Sequence, residues 1–177
     1  MLYFLLVVSC LYLVFLFLIM SITLVAAVSN NNCIGKNGDL PWNISEDLKR
    51  VKALTLGKVL IMGRNTWESI PDKYRPLPGR TNVVITRNET YPLPEGVERY
   101  SSITDAIDAH NNEEIVSFGG EGIFREMITY ADTLEITHVD QTVDACDAYF
   151  PEIDMTVWKE VWREDHDGFS FVRYQRI

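Results

Sequence analysis

Residues 114–124, EIVSFGGEGIF, pass from a short apolar run through Gly119-Gly120-Glu121-Gly122 into an amphipathic stretch, and this strand–turn–helix reading decides the fold class. The same passage recurs upstream. KVLIMG (58–63) reads as a buried strand opening at Arg64 into a short helix that ends at Ile70, before Pro71. SITLVAAV (21–28), TNVVIT (81–86) and LEITHV (134–139) are further strands, and VERY (97–100) is a shorter one. Between them fall helical stretches: one capped by Ser45 and running through Leu56 to a stop at Gly57, one opened by a Ser102/Asp105 capping box and reaching about His110, and one from the Gly-Gly turn to Tyr130. Residues 157–164 and 169–175 alternate with period two around Asp167-Gly168, an antiparallel hairpin end. Strands alternating with helices define an α/β domain. The loop 29–40, SNNNCIGKNGDL, is long for a passive connection and is a candidate lid.

The chain has 177 residues, the length of one ordinary domain, and shows no repeat and no low-complexity linker. Ten glycines, seven prolines and three cysteines exclude collagen-like, disordered and disulfide-scaffold classes. A net charge of −9 argues against a general nucleic-acid binder. The basic residues nevertheless gather in one stretch: residues 36–99 hold 11 Lys and Arg against 8 Asp and Glu, whereas residues 100–177 hold 5 against 17. That stretch is either chance surface patterning or a site for an anionic small molecule. Cys10, Cys33 and Cys146 form no CxxC and no even-numbered framework, and His110, His138 and His166 have no ligand spacing. The expectation is a reduced, cytosolic domain without a metal, in which the Asn43 and Asn88 glycosylation patterns carry no meaning.

Residues 1–20, MLYFLLVVSCLYLVFLFLIM, form an apolar leader outside the domain, which spans residues 21–177. The leader is long enough to cross a bilayer as a helix, but it lacks a positive n-region, a flanking Lys or Arg and a linker. Three readings stay open: a mis-assigned start with Met20 as the alternative, a membrane segment, or another apolar helix.

Glycines between a buried strand and a helix let backbone N–H groups approach a phosphate, although a turn needing positive φ explains Gly119-Gly120 equally well. Two more strand ends join them: Gly63-Arg64-Asn65-Thr66 after one strand and Thr86-Arg87 after another. Ligands of open α/β sheets bind beyond such carboxyl ends. Arg64 and Arg87 are candidates for clamping a phosphate monoester, such as that on the 2′ position of NADPH; two solvated arginines are the plain alternative. Asp47 falls in a first helical turn, where the helix dipole already favours a carboxylate. It also shares a face with Val51 and Leu54, beside Leu48. A carboxylate on an apolar stripe is costly unless it meets a cationic or hydrogen-bond-donating ligand, and burial raises its pKa as proton chemistry requires.

Val25-Ala26-Ala27, Ile34-Gly35, Leu40-Pro41-Trp42, the helical Asp47, Gly63-Arg64-Asn65-Thr66-Trp67, Leu77-Pro78-Gly79-Arg80, Gly119-Gly120 and Ile136-Thr137-His138 occur in the order and spacing of the dihydrofolate reductase family, which residues 21–177 resemble. The resemblance implies a mostly parallel eight-stranded central sheet with an antiparallel terminal strand and about four flanking helices. It implies NADPH-dependent reduction of 7,8-dihydrofolate to tetrahydrofolate by a monomer. By the same resemblance Asp47 binds the pterin, Trp42 orders the water that supplies the N5 proton, and Thr137 supports the carboxylate. Leu48, Val51, Ile70 and Leu77 line the apolar slot, Val25, Ala26 and Phe118 join the substrate side, and Arg80 pairs with the substrate's glutamate α-carboxylate. Ala27, Ile34 and Gly35 adjoin the nicotinamide. Gly63, Arg64, Asn65, Thr66, Thr86, Arg87, Gly119, Gly120, Glu121, Gly122 and Ile123 resemble the rest of the NADPH site, and residues 30–39 match the family's mobile lid. Val51 departs from an aromatic ring common in the family, and Phe124 from a tyrosine. A pyrimidine reductase of riboflavin synthesis would need phosphate donors where Asp47 and Arg80 stand, and an idle membrane-tethered dinucleotide-binding module would be expected to have lost Asp47.

Overall fold

The computed structural model describes residues 21–177. The apolar runs become β1 (Ser21–Ser29), β3 (Val59–Gly63), β4 (Thr81–Ile85), β5 (Val97–Tyr100), β6 (Glu114–Gly119) and β7 (Thr133–Val139), and the alternating C-terminal segments become β9 (Trp158–His166) and β10 (Phe169–Arg176). They pair in the order β5-β4-β3-β6-β1-β7-β10-β9. All neighbouring pairs from β5 to β7 are parallel, and β10 runs antiparallel to both β7 and β9. The strands that read as continuous Val/Ile/Leu runs are therefore the ones covered on both faces. Their carboxyl ends share one edge of the sheet.

Among the described residues four α-helices cover the faces: α1 (Ser45–Thr55), α2 (Arg64–Ser69), α3 (Ile103–Ala109) and α4 (Glu121–Met127). Alternation along each strand sends Ile22, Leu24 and Leu134 to a core closed by Ile103 and Ala106 of α3 and Phe124 and Met127 of α4. Val25, Leu60, Met62, Val84 and Val116 point the other way, against Trp67 of α2 and Val51 and Leu54 of α1. Leu24, Leu60 and Leu134 expose no surface, a burial that stabilises by roughly 1.5–3 kcal/mol per side chain.

Several sequence expectations are corrected. Ser45 is the first helical residue, not the cap: Ile44 occupies the N-cap without a side-chain bond, and the Ser45 hydroxyl donates to Glu46. At α3 the expected cap holds, with the Ser102 hydroxyl oxygen accepting from the Asp105 N–H. The loop 29–40 contains a strand, β2 (Cys33–Gly35), paired with β8 (Ala148–Tyr149). Cys33 and Cys146 form a disulfide, so the expectation of a reduced domain with no cross-link is overturned; the 113-residue separation offers no spacing signal, and only the β2–β8 pairing brings the two together. The segment 29–40 thus rests on the loop that follows β7, with further bonds from Asn31 Nδ2 to Val143 O (3.0 Å), Lys36 Nζ to Asp144 O (2.8 Å) and Asn37 N to Asp147 Oδ2 (2.6 Å). Among the described residues no helix is long and apolar enough to cross a membrane, and no His, Cys, Asp and Glu group could hold a metal. The readings of residues 1–20 lie outside the described residues.

Candidate active site

The N-terminal turn of α1 lies on the second face of the sheet, over β7. Asp47 is 6 % exposed there, and its Oδ1 accepts a 2.5 Å hydrogen bond from the Thr137 hydroxyl. Thr137 stands beside Ala27 in the β1–β7 register, so the pair sits toward the carboxyl ends of the two central strands. Burial pushes the Asp47 carboxyl above its ordinary value, while the Thr137 bond and the Arg50 charge pull the other way.

A cavity of about 550 Å³ opens beside the carboxylate, lined by Leu40, Pro41, Trp42, Ile44, Asp47 and Leu48 among others. Leu48 is 57 % exposed, which puts it at the mouth of this cavity and not inside the apolar slot. The indole N–H of Trp42 is buried and has no protein partner, the condition in which a water or ligand completes the bond. From Asp47 the apolar face of α1 continues through Val51 and Leu54, which pack with Ile70, Leu77 and Phe118 against the second core. Val25 belongs to this side, whereas the Ala26 side chain enters the opposite core and leaves only its backbone on the site's side of β1.

Arg80 closes the far end. Its Nε donates to Thr55 Oγ1 at 2.8 Å and its two terminal nitrogens to Pro78 O at 3.0 Å and Lys52 O at 3.3 Å, so the guanidinium sits at the C-terminus of α1, where the dipole favours a cation. Buried Asn82 fixes the turn that carries it, accepting from Leu77 N and donating to Leu77 O and Arg80 O. Eight residues of helix separate Asp47 from Thr55, about 12 Å at the helical rise. A carboxylate, an apolar strip and a guanidinium thus follow one another over the length of a flat, elongated molecule.

Gly63, Gly119 and Gly120 come together at the carboxyl ends of β3 and β6. The Gly119–Gly120 peptide is cis, and Gly119 has φ +89°. A Cβ on Gly63 would lie 3.1 Å from Ile123 Cγ1, one on Gly120 3.2 Å from Thr66 Oγ1, and one on Gly119 2.5 Å from the Phe124 ring. These distances join the end of β3 and start of α2 to the end of β6 and start of α4. The missing side chains thereby let the two strand–helix junctions pack closely against each other. Gly63 is in register with Ile85, which sets Arg64 and Arg87 at neighbouring strand ends. Both are exposed, as is Asn65, and Arg64 donates two bonds to Glu68 at 2.9 and 2.8 Å. Thr86 is buried and its hydroxyl oxygen accepts from Asn88 N. Glu121 is engaged elsewhere, by Arg125 and by Tyr149 N, so its side chain ties α4 to β8, while Gly122 is exposed. Ile34 and Gly35 lie in β2, half-buried like Ala27.

Sequence reasoning missed an ionic cluster against α1. Glu135, buried on β7, receives Arg50 Nη2 and Arg173 Nε, each at 2.5 Å. The available signal was a carboxylate two residues before Thr137 within an apolar strand.

Similarity to known proteins follows the same geometry. A family model described as dihydrofolate reductase matches residues 21–176. A dihydrofolate reductase of Neisseria meningitidis serogroup A is 44 % identical over 164 residues, covering 89 % of this chain and 99 % of the relative. One from Buchnera aphidicola subsp. Acyrthosiphon pisum is 46 % identical over 147 residues, covering 82 % and 88 %. Among solved structures, the dihydrofolate reductase from Enterococcus faecalis, complexed with NADP(H) and RAB-propyl, superposes with a TM-score of 0.78 at 32 % identity, covering 88 % of this chain and 96 % of that one.

Proposed function

Because the chain belongs to the dihydrofolate reductase family, an NADPH-dependent oxidoreductase family, we propose that its buried Asp47 is the group that grips the pterin while 7,8-dihydrofolate is reduced to tetrahydrofolate. The observation that carries the reading is a carboxylate held by Thr137 at the wall of a cavity, one helix length from an ordered guanidinium.

Ionised Asp47 accepts hydrogen bonds from the pterin N3–H and 2-amino group, and its charge raises the basicity of N5. Thr137 keeps the carboxylate turned toward the ring. The Trp42 N–H holds a water that passes its proton to N5. Leu77, Ile70 and Val51 exclude solvent around the aminobenzoyl ring, and Arg80 pairs with the glutamate α-carboxylate. NADPH would lie along the strand ends marked by Gly63, Gly119 and Gly120, with Thr66, Thr86 and Ile123 beside it and Ala27 and Ile34 toward the nicotinamide end. When bound, that cofactor supplies a hydride from nicotinamide C4 to pterin C6. β2 and the rest of the segment 30–39 cover this end from the lid side. We take the enzyme to be a monomer whose domain begins at Ser21, where the match to the family model starts.

Mixing the protein with NADPH and dihydrofolate tests the proposal: one NADPH is consumed per tetrahydrofolate formed, and no consumption refutes it. Two variants probe its ends. Replacing Arg80 with Met is expected to raise KM for dihydrofolate by about 10- to 100-fold, the loss of a charge-assisted pair, with kcat little changed. An unchanged KM removes Arg80 from the site. Replacing Arg64 and Arg87 together with Met is expected to lower kcat/KM for NADPH about 10- to 100-fold and leave that for NADH unaltered. Equal use of the two cofactors by the parent enzyme contradicts the phosphate clamp.

A further inference from the structure

Asp47 and Arg50 are three residues apart on α1, neighbours on one helix face, and both turn toward β7. Their partners on β7, Thr137 and Glu135, are two residues apart and so share a face of the sheet. Two parallel links therefore dock one turn of helix onto one strand: Asp47 to Thr137, and Arg50 to Glu135. The second is well made. Glu135 is almost fully buried, Arg173 of β10 bonds its other oxygen, and the Arg50 guanidinium lies 4.6 Å from the centroid of the Phe171 ring and 5.6 Å from that of Trp162. Aromatic faces on one side and a carboxylate on the other hold the guanidinium in place, with the side chain 15 % exposed.

None of these three charges is needed to bind pterin or cofactor, yet they are the charges that stand behind Asp47. The other titratable groups around it are exposed: Glu46 and Lys49 on α1, Asp39 across the cavity, and His166 with Glu164 on β9. Water screens them. A cation one turn away, mostly buried and paired with a buried carboxylate, acts on Asp47 with less screening than they do, and its own counter-ion decides how strongly.

We propose that Arg50, fixed by Glu135, is a positioning residue of the reductase that sets the acid strength at the Asp47–pterin contact and so the pH range of turnover. The inference rests on the assignment of Asp47 as the pterin-binding carboxylate. Its sign does not depend on which proton is followed. A nearby cation disfavours protonation both of Asp47 and of a pterin N5 bound against it. Loss of Arg50 therefore raises both midpoints, and because turnover needs N5 protonated its alkaline limb moves to higher pH, whereas loss of the Glu135 charge moves it to lower pH.

The test is the pH dependence of single-turnover NADPH oxidation in Arg50→Met, Arg50→Lys and Glu135→Gln. Glu135 keeps Arg173 as a partner when Arg50 is lost, so Arg50→Met leaves no orphaned buried charge. The expected result is a midpoint about one pH unit higher in Arg50→Met, about one unit lower in Glu135→Gln, and parental in Arg50→Lys. Coincident profiles overturn the proposal. So do shifts in the same direction for the two neutralising variants, the mark of a disturbed helix and not of a charge. Following the Asp47 carboxyl carbon by NMR in the same variants separates this inference from its premise. If Asp47→Asn retains parental turnover, the pterin assignment falls, while opposite movements of the Asp47 midpoint still establish the Arg50–Glu135 coupling.

Discussion

Replacing Asp47 with Asn is expected to lower turnover of dihydrofolate about 10²- to 10³-fold, most severely at neutral and alkaline pH, with NADPH affinity nearly unchanged. Asn keeps the size of the side chain and can still accept from Thr137, so the structural change is small. What disappears is the negative charge facing the pterin, and with it the bias toward a protonated N5. The same substitution is expected to stabilise the fold at neutral pH. Burial holds the Asp47 carboxyl above its ordinary value, so over the interval between the unfolded and folded values the native state binds the extra proton and stability falls as pH rises. The amide of the variant does not titrate, and the melting temperatures of parent and variant are expected to diverge as pH rises from the acid range and to converge below it. A variant that lost activity and stability together would point to collapse of the site. Parental turnover would remove Asp47 from the chemistry.

The second large effect is at Gly119. Replacing it with Ala is expected to cost about 3–5 kcal/mol of stability and to abolish NADPH binding. Two independent causes add. With φ at +89° the backbone lies where an L side chain is strained. A Cβ there would also stand 2.5 Å from Phe124 Cε2 and 2.8 Å from Cζ. The ring has no room to retreat, because it is buried and packs 4.9 Å, centroid to centroid, from Phe150. Measured by denaturant unfolding, the loss is a large share of the roughly 5–15 kcal/mol that holds a typical domain together. Gly119→Ala combined with Phe124→Leu is expected to recover part of the stability, the coupling that contact implies. Full additivity of the two losses would mean that the Phe124 contact contributes nothing.

How much of this is legible in the sequence depends on how local each signal is. VLIM, VVI and LVAAV are continuous apolar runs, and such runs mark strands covered on both faces whatever their neighbours do. β2 and β8 are three and two residues long. Neither has a pattern of its own; each is a strand only because the other lies against it. The Cys33–Cys146 disulfide is hidden for the same reason. At Ser45 the composition of a cap is present but the chain turns helical one residue earlier, with Ile44 at the cap. Residue types mark Asp47 as unusual, but its partner Thr137, 90 residues on, comes only from the family resemblance, since no periodicity links α1 to β7. Arg50 does not stand out because it falls between Lys49 and Lys52, off the stripe of Asp47, Val51 and Leu54. It becomes largely covered because Trp162 of β9 and Phe171 of β10 lie against its guanidinium. Arg64 shows the opposite case, an arginine at the foreseen strand end that bonds Glu68 in the structure and has to leave it to meet a phosphate.

The most direct measurement follows the carboxyl carbon of Asp47 by NMR as pH is varied, in the free protein and with a saturating dihydropterin. The expected result is a midpoint above the usual carboxylate range in the free protein and a carboxylate that stays ionised through that range once the pterin donates to it. An ordinary midpoint, unmoved by ligand, would contradict the assignment of this buried acid as the group that holds the substrate.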